Sequence, residues 1–125
     1  MDFHFTASGV YADDDGTVLM LVLNSDDEEH YFSVQQSLEY DEQSIKAGMN
    51  TYYIERDDQG FGGYGGLKEI LLSRRELKAV LNETGKKNLK MDTVTVSLNI
   101  SDNSFFELKN MLERIFSATG LLKQE

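Results

Sequence analysis

Apolar and polar residues alternate over much of the first 40 positions, a pattern typical of strands that bury one face. Residues 3–7 have this character, residues 18–23 form a nearly continuous apolar run, and residues 31–38 supply a third predicted strand. The Asp-Asp-Asp-Gly sequence at residues 13–16 favours a tight turn, because Asp-Gly tolerates positive φ, and residues 24–29 form a longer polar connection. The pattern predicts an antiparallel meander rather than βαβ units.

The middle of the chain is less regular. Residues 39–50 are mostly polar and are predicted to form a loop with one helical turn, and the β-branched and aromatic residues at 51–56 predict a strand. Residues 67–81 fit either one helix or two strands, at residues 67–72 and 77–81. Their Leu, Lys, Glu and Arg content favours the helix, so the pattern alone leaves both alternatives open.

The last third of the chain has the clearest elements. Residues 93–98 alternate between apolar and hydroxyl side chains and predict a strand, which follows a basic turn at residues 86–90. Ser104 and Glu107 fit a capping box, which predicts a helix over residues 104–118 that ends before Gly120. Its apolar side chains recur at helical spacing, at Phe105, Leu108, Leu112, Ile115 and Phe116.

These elements predict an α+β fold, with a mostly antiparallel β-sheet of about six or seven strands and one C-terminal amphipathic helix packed on one face. The 125 residues, 40% of them hydrophobic, suffice for one core, so we expect a single domain over residues 1–125. The chain has no cysteine, which excludes disulfides and thiolate metal sites and fits a cytoplasmic location. We expect no export signal and no membrane segment.

The net charge of −10 is unevenly distributed. Residues 1–62 contain 14 acids against two bases, which gives −12, and residues 63–125 contain 8 acids against 10 bases, which gives +2. An acidic surface repels phosphate backbones, so we expect no binding to nucleic acid. The same charge attracts a basic protein partner, although solubility alone is an equally good explanation.

Half of the ten glycines lie within seven residues, at Gly60, Gly62, Gly63, Gly65 and Gly66. This segment satisfies the G-x-G-x-x-G pattern, but that motif binds dinucleotides where it opens a helix inside a βαβ unit, which the pattern does not predict here. Phe61 and Tyr64 lie among the glycines. These two rings either recognise a partner or pack back onto the protein, and the sequence does not decide between the two.

The usual components of a catalytic or metal site are sparse in this sequence. His4 and His30 are the only histidines, and they fall in different predicted segments. Glu55, Asp57 and Asp58 could act as paired carboxylates, but Asp at the start of a loop is common in turns. We therefore expect no enzyme activity, no metal and no cofactor.

Residues 53–59, Tyr-Ile-Glu-Arg-Asp-Asp-Gln, are followed by Gly-Tyr-Gly-Gly-Leu-Lys-Glu at residues 63–69, then by Leu-Ser-Arg at residues 72–74 and a hydrophobic strand ending at Leu81. This series resembles the immunity protein 10 family of bacterial polymorphic-toxin systems. The positions that match the family pattern are Tyr53, Glu55, Asp58, Gln59, Tyr64 and Gly66.

The resemblance implies a small, mostly β domain that binds and neutralises a cognate toxin without catalysis. It also favours two strands within residues 67–81. The acidic half of the chain suggests a basic toxin such as a nuclease. We predict the contact residues to be Glu55, Asp57, Asp58, Gln59, Phe61 and Tyr64. The alternatives are a small-ligand-binding domain or a structural module that self-associates as a homodimer.

Overall fold

A computed structural model describes residues 1–48 and 50–125, so Met49 in the predicted loop lies outside the described residues. The described chain forms a nine-stranded sheet in the order β5-β4-β3-β2-β1-β8-β7-β6-β9. The strands are β1 (Asp2–Asp14), β2 (Val18–Ser25), β3 (Tyr31–Ser37), β4 (Tyr53–Arg56), β5 (Gly62–Tyr64), β6 (Leu67–Leu72), β7 (Glu76–Leu81), β8 (Thr93–Leu98) and β9 (Leu122–Gln124). The helices are α1 (Glu42–Lys46), α2 (Glu83–Leu89) and α3 (Asp102–Phe116).

The sheet is mostly antiparallel, as predicted. Strands β1 to β5 follow one another as an antiparallel meander, and the acidic turn at its start includes Gly16 with a φ of 87°. Two pairs are parallel: the first half of β1 pairs with β8, and β6 pairs with β9. The long β1 therefore joins the meander to the C-terminal strands.

Strands β5 and β6 lie near opposite ends of the strand order, yet two residues suffice to join them. The sheet must therefore curl strongly, since so short a link spans only a small distance. The linking residues, Gly65 and Gly66, both have positive φ. The Gly66 carbonyl accepts a hydrogen bond from the Asn82 backbone N–H (2.9 Å), and the Gly65 N–H donates to the Tyr52 carbonyl (2.9 Å). These bonds bring the two ends of the sheet together.

Helix α3 fills the concave side of this curled sheet. It buries side chains at positions i, i+3, i+4, i+7 and i+8, which form one stripe on a helix: Leu108, Met111, Leu112, Ile115 and Phe116. The stripe joins the alternate residues of the strands in one core, and Phe116 meets the ring of Tyr52 edge-on at 5.1 Å. The predicted helix packed on one sheet face is thus present.

The expected strand count of six or seven was wrong. The two short strands β5 and β9 lie in segments that carry no strand pattern, the glycine cluster and the residues after Gly120. Both form because a neighbouring strand offers free backbone hydrogen-bonding groups, which require no particular side-chain alternation.

The described residues contain three helices, and these agree with the prediction only in part. The loop prediction at residues 39–50 included one helical turn, and α1 is found there; the basic turn predicted at residues 86–90 is mostly the second half of α2. Helix α3 begins earlier than predicted, since Ser101 rather than Ser104 is its N-cap, and it ends at Phe116. Residues 67–81 form two strands, so helix propensity was the misleading signal there.

Candidate functional site

The two faces of strands β2 to β5 differ in what covers them. Leu21, Val34 and Ile54 lie side by side on the face that packs against the core. Side chains alternate along a strand, so the neighbouring positions point the other way. We call that other side of strands β1 to β5 the open face.

Strand register places two adjacent rows of side chains on the open face. One row contains Met20, Gln35, Tyr53 and Tyr64, and the next contains Tyr11, Val22, Ser33, Glu55 and Gly62. Tyr11 is 54% exposed and Tyr64 is 40% exposed. Aromatic rings on an accessible sheet surface are typical anchors of protein interfaces.

A groove of about 480 Å³ runs across the open face. Its walls come from β2 to β5, from the segment before β4 and from the turn between β4 and β5: Val18, Gln35, Ser37, Thr51, Tyr53, Glu55, Gln59 and Tyr64. Three of the six predicted contact residues, Glu55, Gln59 and Tyr64, line this groove. The groove is therefore a surface that joins residues far apart in the sequence.

Glu55 is held in place by two tyrosine hydroxyls. Tyr53 Oη donates to Glu55 Oε1 at 2.8 Å, and Tyr31 Oη donates to Glu55 Oε2. Burial, followed by the hydrogen bond to Glu55, raises the pKa of Tyr53 to about 12, and the same causes raise the pKa of Tyr31. Both phenols remain protonated at neutral pH and fix the orientation of the carboxylate.

Gly62 makes this arrangement possible, because it lies opposite Glu55 in the β4–β5 pair. A Cβ atom at Gly62 would lie 2.5 Å from Tyr53 Oη and 2.9 Å from the Ile54 carbonyl oxygen. Any larger residue would therefore displace the hydroxyl that holds Glu55. On the other face, a Cβ atom at Gly63 would lie 2.2 Å from the Asn88 side chain of α2. The glycine cluster thus serves close packing on both faces.

Asp57 is turned away from the groove and bonds to other parts of the protein. One of its oxygens accepts the Tyr31 backbone N–H and the other accepts His30 Nδ1, both at 3.1 Å. Arg56 Nη1 lies 3.7 Å from the same carboxylate. The backbone of Asp57 has a φ of 61°, and β4 ends at the residue before it. These contacts give Asp57 a role in ending the strand.

Phe61 packs on a buried arginine. The Arg56 guanidinium lies 4.2 Å from the Phe61 ring centroid and 4.8 Å from that of Phe3, and its Nε donates to the Leu89 carbonyl at 2.9 Å. Arg56 is only 8% exposed, so the flanking rings and the nearby Asp57 carboxylate compensate for its burial. The prediction left open whether the rings of the cluster face a partner or the protein, and the answer differs between Phe61, which packs inward, and the exposed Tyr64.

Asp58 is exposed and accepts the Gly60 N–H at 2.8 Å, which shapes the turn before β5. The structure therefore places Glu55, Gln59 and Tyr64 in the groove with Asp58 nearby, and places Asp57 and Phe61 in contact with Arg56. Sequence reasoning missed the groove residues of β2 and β3, and it missed Tyr31. Alternation predicts which way these side chains point, but only strand register brings them next to Glu55.

Acidic turns lie at both ends of strands β2 to β4. The end of β1 and the turn after it contribute residues 13–15, and the β2–β3 turn contributes residues 26–29 beside the turn at residues 57–58. Hydrogen bonds from Arg114 and from the Gly16 N–H lower the pKa of Asp14, and bonds from Ser25 and from the Glu29 N–H lower the pKa of Asp27. The ends of the open face are therefore negatively charged at neutral pH.

The G-x-G-x-x-G segment lacks the structural context of a dinucleotide site. It runs into strands β5 and β6, whereas a phosphate-binding turn opens a helix. None of the helices in residues 1–48 and 50–125 is long and apolar enough to cross a membrane.

Comparison with known families gives one match. The family model described as Immunity protein 10 matches residues 4–106, which is most of the chain. Neither the curated proteins nor the solved structures yielded a match.

Proposed function

The chain belongs to the immunity protein 10 family, and on that premise we propose that it neutralises a cognate toxin by forming a stoichiometric complex in the cytoplasm. We assign the toxin-contacting surface from the groove on the open face, where Tyr64 is exposed at one wall and hydrogen bonds hold the Glu55 carboxylate in place. Inhibition of this kind requires a complementary surface and no catalytic group.

Within the six predicted contact residues, we assign two roles. Glu55, Asp58, Gln59 and Tyr64 contact the toxin, because they line the groove or lie exposed beside it. Asp57 and Phe61 support the strand end through Arg56. This division predicts that the first group affects toxin binding and that the second group affects stability.

The charge of the open face favours a basic toxin. The acidic turns at both ends of β2 to β4 create a negative field, which increases the association rate with a positively charged partner and weakens with added salt. Toxins that act on nucleic acids carry positive surfaces for their substrate, so a nuclease is the toxin class that this field suits best.

The test is co-expression with the toxin encoded by the neighbouring reading frame, followed by purification of the complex. We expect the protein to restore growth and to co-purify with the toxin, and we expect Tyr64→Ala to weaken the complex by roughly tenfold or more, as for an interface anchor. If the chain neither restores growth nor binds the toxin, the proposed function is wrong.

Phe106→Ala is the matched control, because Phe106 is also an exposed aromatic residue, 60% accessible, and lies on α3 away from the open face. We expect this variant to bind as the wild type does. The assigned surface is contradicted if both substitutions weaken the complex equally, or if neither substitution weakens it. In both cases toxin binding by the wild-type protein still stands.

A further inference from the structure

We infer that the groove of the open face is a receptor for an arginine side chain of the toxin, with Glu55 accepting the guanidinium and the rings of Tyr53 and Tyr64 lying against it. This inference rests on the proposed function and specifies the chemistry of its central contact. It is carried by an oriented carboxylate, two aromatic walls and a groove that is open to solvent.

Glu55 carries a charge that the described part of the chain leaves without a cationic partner. The ion pairs found there involve other carboxylates, those of Asp14, Asp57, Asp92, Asp102, Glu83 and Glu113. Its oxygens accept from neutral phenols, which orient the carboxylate without neutralising it. Each carboxylate oxygen can accept more than one hydrogen bond, so both remain available to an incoming donor.

The aromatic side chains beside Glu55 favour a guanidinium over an ammonium group. Tyr53 and Tyr64 meet edge to face at a centroid distance of 5.2 Å, and both line the groove. A guanidinium is planar, weakly hydrated and able to stack on a ring while it donates two parallel hydrogen bonds to a carboxylate. Lysine offers a compact charge that holds its water more strongly.

Other kinds of occupant fit the groove less well. An anion would be repelled by Glu55 and by the acidic turns at the ends of the strands. Divalent metal sites in proteins are usually built around several carboxylates, whereas the groove lining contains one, that of Glu55. A purely apolar side chain would bury that charged carboxylate without a cationic partner, which is costly.

The first test uses small probes, so it does not depend on knowing the toxin. Amide resonances of the isotope-labelled protein are followed while N-acetyl-arginine amide is added, with the neutral isostere N-acetyl-citrulline amide as the matched control. We expect the arginine probe to shift resonances of residues 53–64 with a Kd in roughly the millimolar range, as for one isolated contact. The citrulline probe should cause no such shifts.

Glu55→Gln keeps the shape of the side chain and removes its charge, and we expect it to weaken arginine binding by roughly tenfold. Tyr64 lies on an edge strand, so Tyr64→Ala is a second variant should Glu55→Gln disturb the fold. We expect it to weaken arginine binding as well. The inference is overturned if the arginine probe leaves these resonances unmoved, if citrulline shifts them equally, or if N-acetyl-lysine amide binds as tightly as arginine.

The second test uses the purified toxin and separates this inference from the proposed function. We expect Glu55→Gln to weaken the complex by roughly tenfold. If the wild-type protein binds the toxin and Glu55→Gln binds it equally well, the arginine receptor is wrong and the inhibitor function stands. If no complex forms with the wild-type protein, the proposed function fails, whatever the small probes do.

Discussion

Carboxylates that are close in sequence have different roles here because their immediate contacts differ. Glu55 is oriented by two tyrosine hydroxyls on the open face, and Asp57 is bonded to His30 and the Tyr31 backbone at the strand end. The Asp58 side chain, one residue further, accepts the Gly60 N–H of the turn that follows it. All three side chains end in a carboxylate, so their positions alone distinguish a candidate toxin contact from a residue that stabilises the fold.

The phenol of Tyr53 should report directly on Glu55. Its pKa, raised from 10.0 to about 12, means that the neutral phenol is favoured in the folded protein. This contribution to stability is complete below pH 10 and is lost as the pH rises through about 12. Glu55→Gln removes the negative charge and should lower the pKa of Tyr53 only part of the way to its ordinary value, since burial persists.

Alkaline titration of tyrosinate absorbance measures this pKa. The difference between the wild type and Tyr53→Phe isolates the Tyr53 curve, and the same subtraction in the Glu55→Gln background gives its shifted midpoint. An unchanged midpoint would mean that the hydrogen bond to Glu55 has no influence on Tyr53.

At the scale of elements, local signals located helix α3 correctly and placed its start incorrectly. The predicted start rested on Ser104 and Glu107, which fit the sequence pattern of a capping box. In the structure Ser101 is extended, at φ −68° and ψ 164°, and its side chain accepts the Ser104 backbone N–H at 3.1 Å. The start is fixed by the chain leaving β8, with Arg74 bonded to the Ile100 carbonyl and to Asp102.

Ser101→Ala should therefore destabilise the protein by about 1 kcal/mol, because it removes the acceptor of an otherwise unpaired helix N–H. Ser104→Ala keeps that N–H bonded and should change the free energy of unfolding by about 0.5 kcal/mol or less. Urea denaturation of both variants measures the difference. A larger loss with Ser104→Ala would restore the capping box that the sequence predicted.

At the scale of the whole molecule, the glycine link between β5 and β6 closes the curled sheet. Gly66 has a φ of 100°, and a Cβ atom there would lie 2.9 Å from the Gly85 Cα atom of α2. Gly65 also has positive φ, at 69°, but a Cβ atom there would meet nothing within 4 Å. Substitutions at these two neighbouring glycines therefore separate the free-energy cost of the backbone conformation from that of a steric clash.

Gly65→Ala should cost about 1 kcal/mol, the usual cost of holding alanine in a left-handed conformation. Gly66→Ala should cost about 3 kcal/mol or more, because backbone strain and a clash with Gly85 add. The free energies of unfolding in urea measure both. Equal losses for the two variants would show that the close approach to α2 does not hold the sheet closed.

The sequence alone determined the local parts of this protein. Alternation located the start of β1 and β8, an apolar run located β2, and helical spacing located α3, because these patterns record which side chains each element buries. The family resemblance of residues 53–81 also came from the sequence. It favoured two strands within residues 67–81, where helix propensity favoured a helix. Of the candidate site, the sequence supplied Glu55, Gln59 and Tyr64.

Only the tertiary structure decided what depends on contacts between distant segments. Strands β5 and β9 exist because neighbouring strands offer hydrogen bonds, and the groove exists because strand register sets Tyr31 and Gln35 beside residues of β4. The glycine cluster has the same explanation: its glycines fit against Tyr53 of β4 and against Gly85 and Asn88 of α2. A sequence pattern records the need for a small residue, but the partner that requires it is known only after folding.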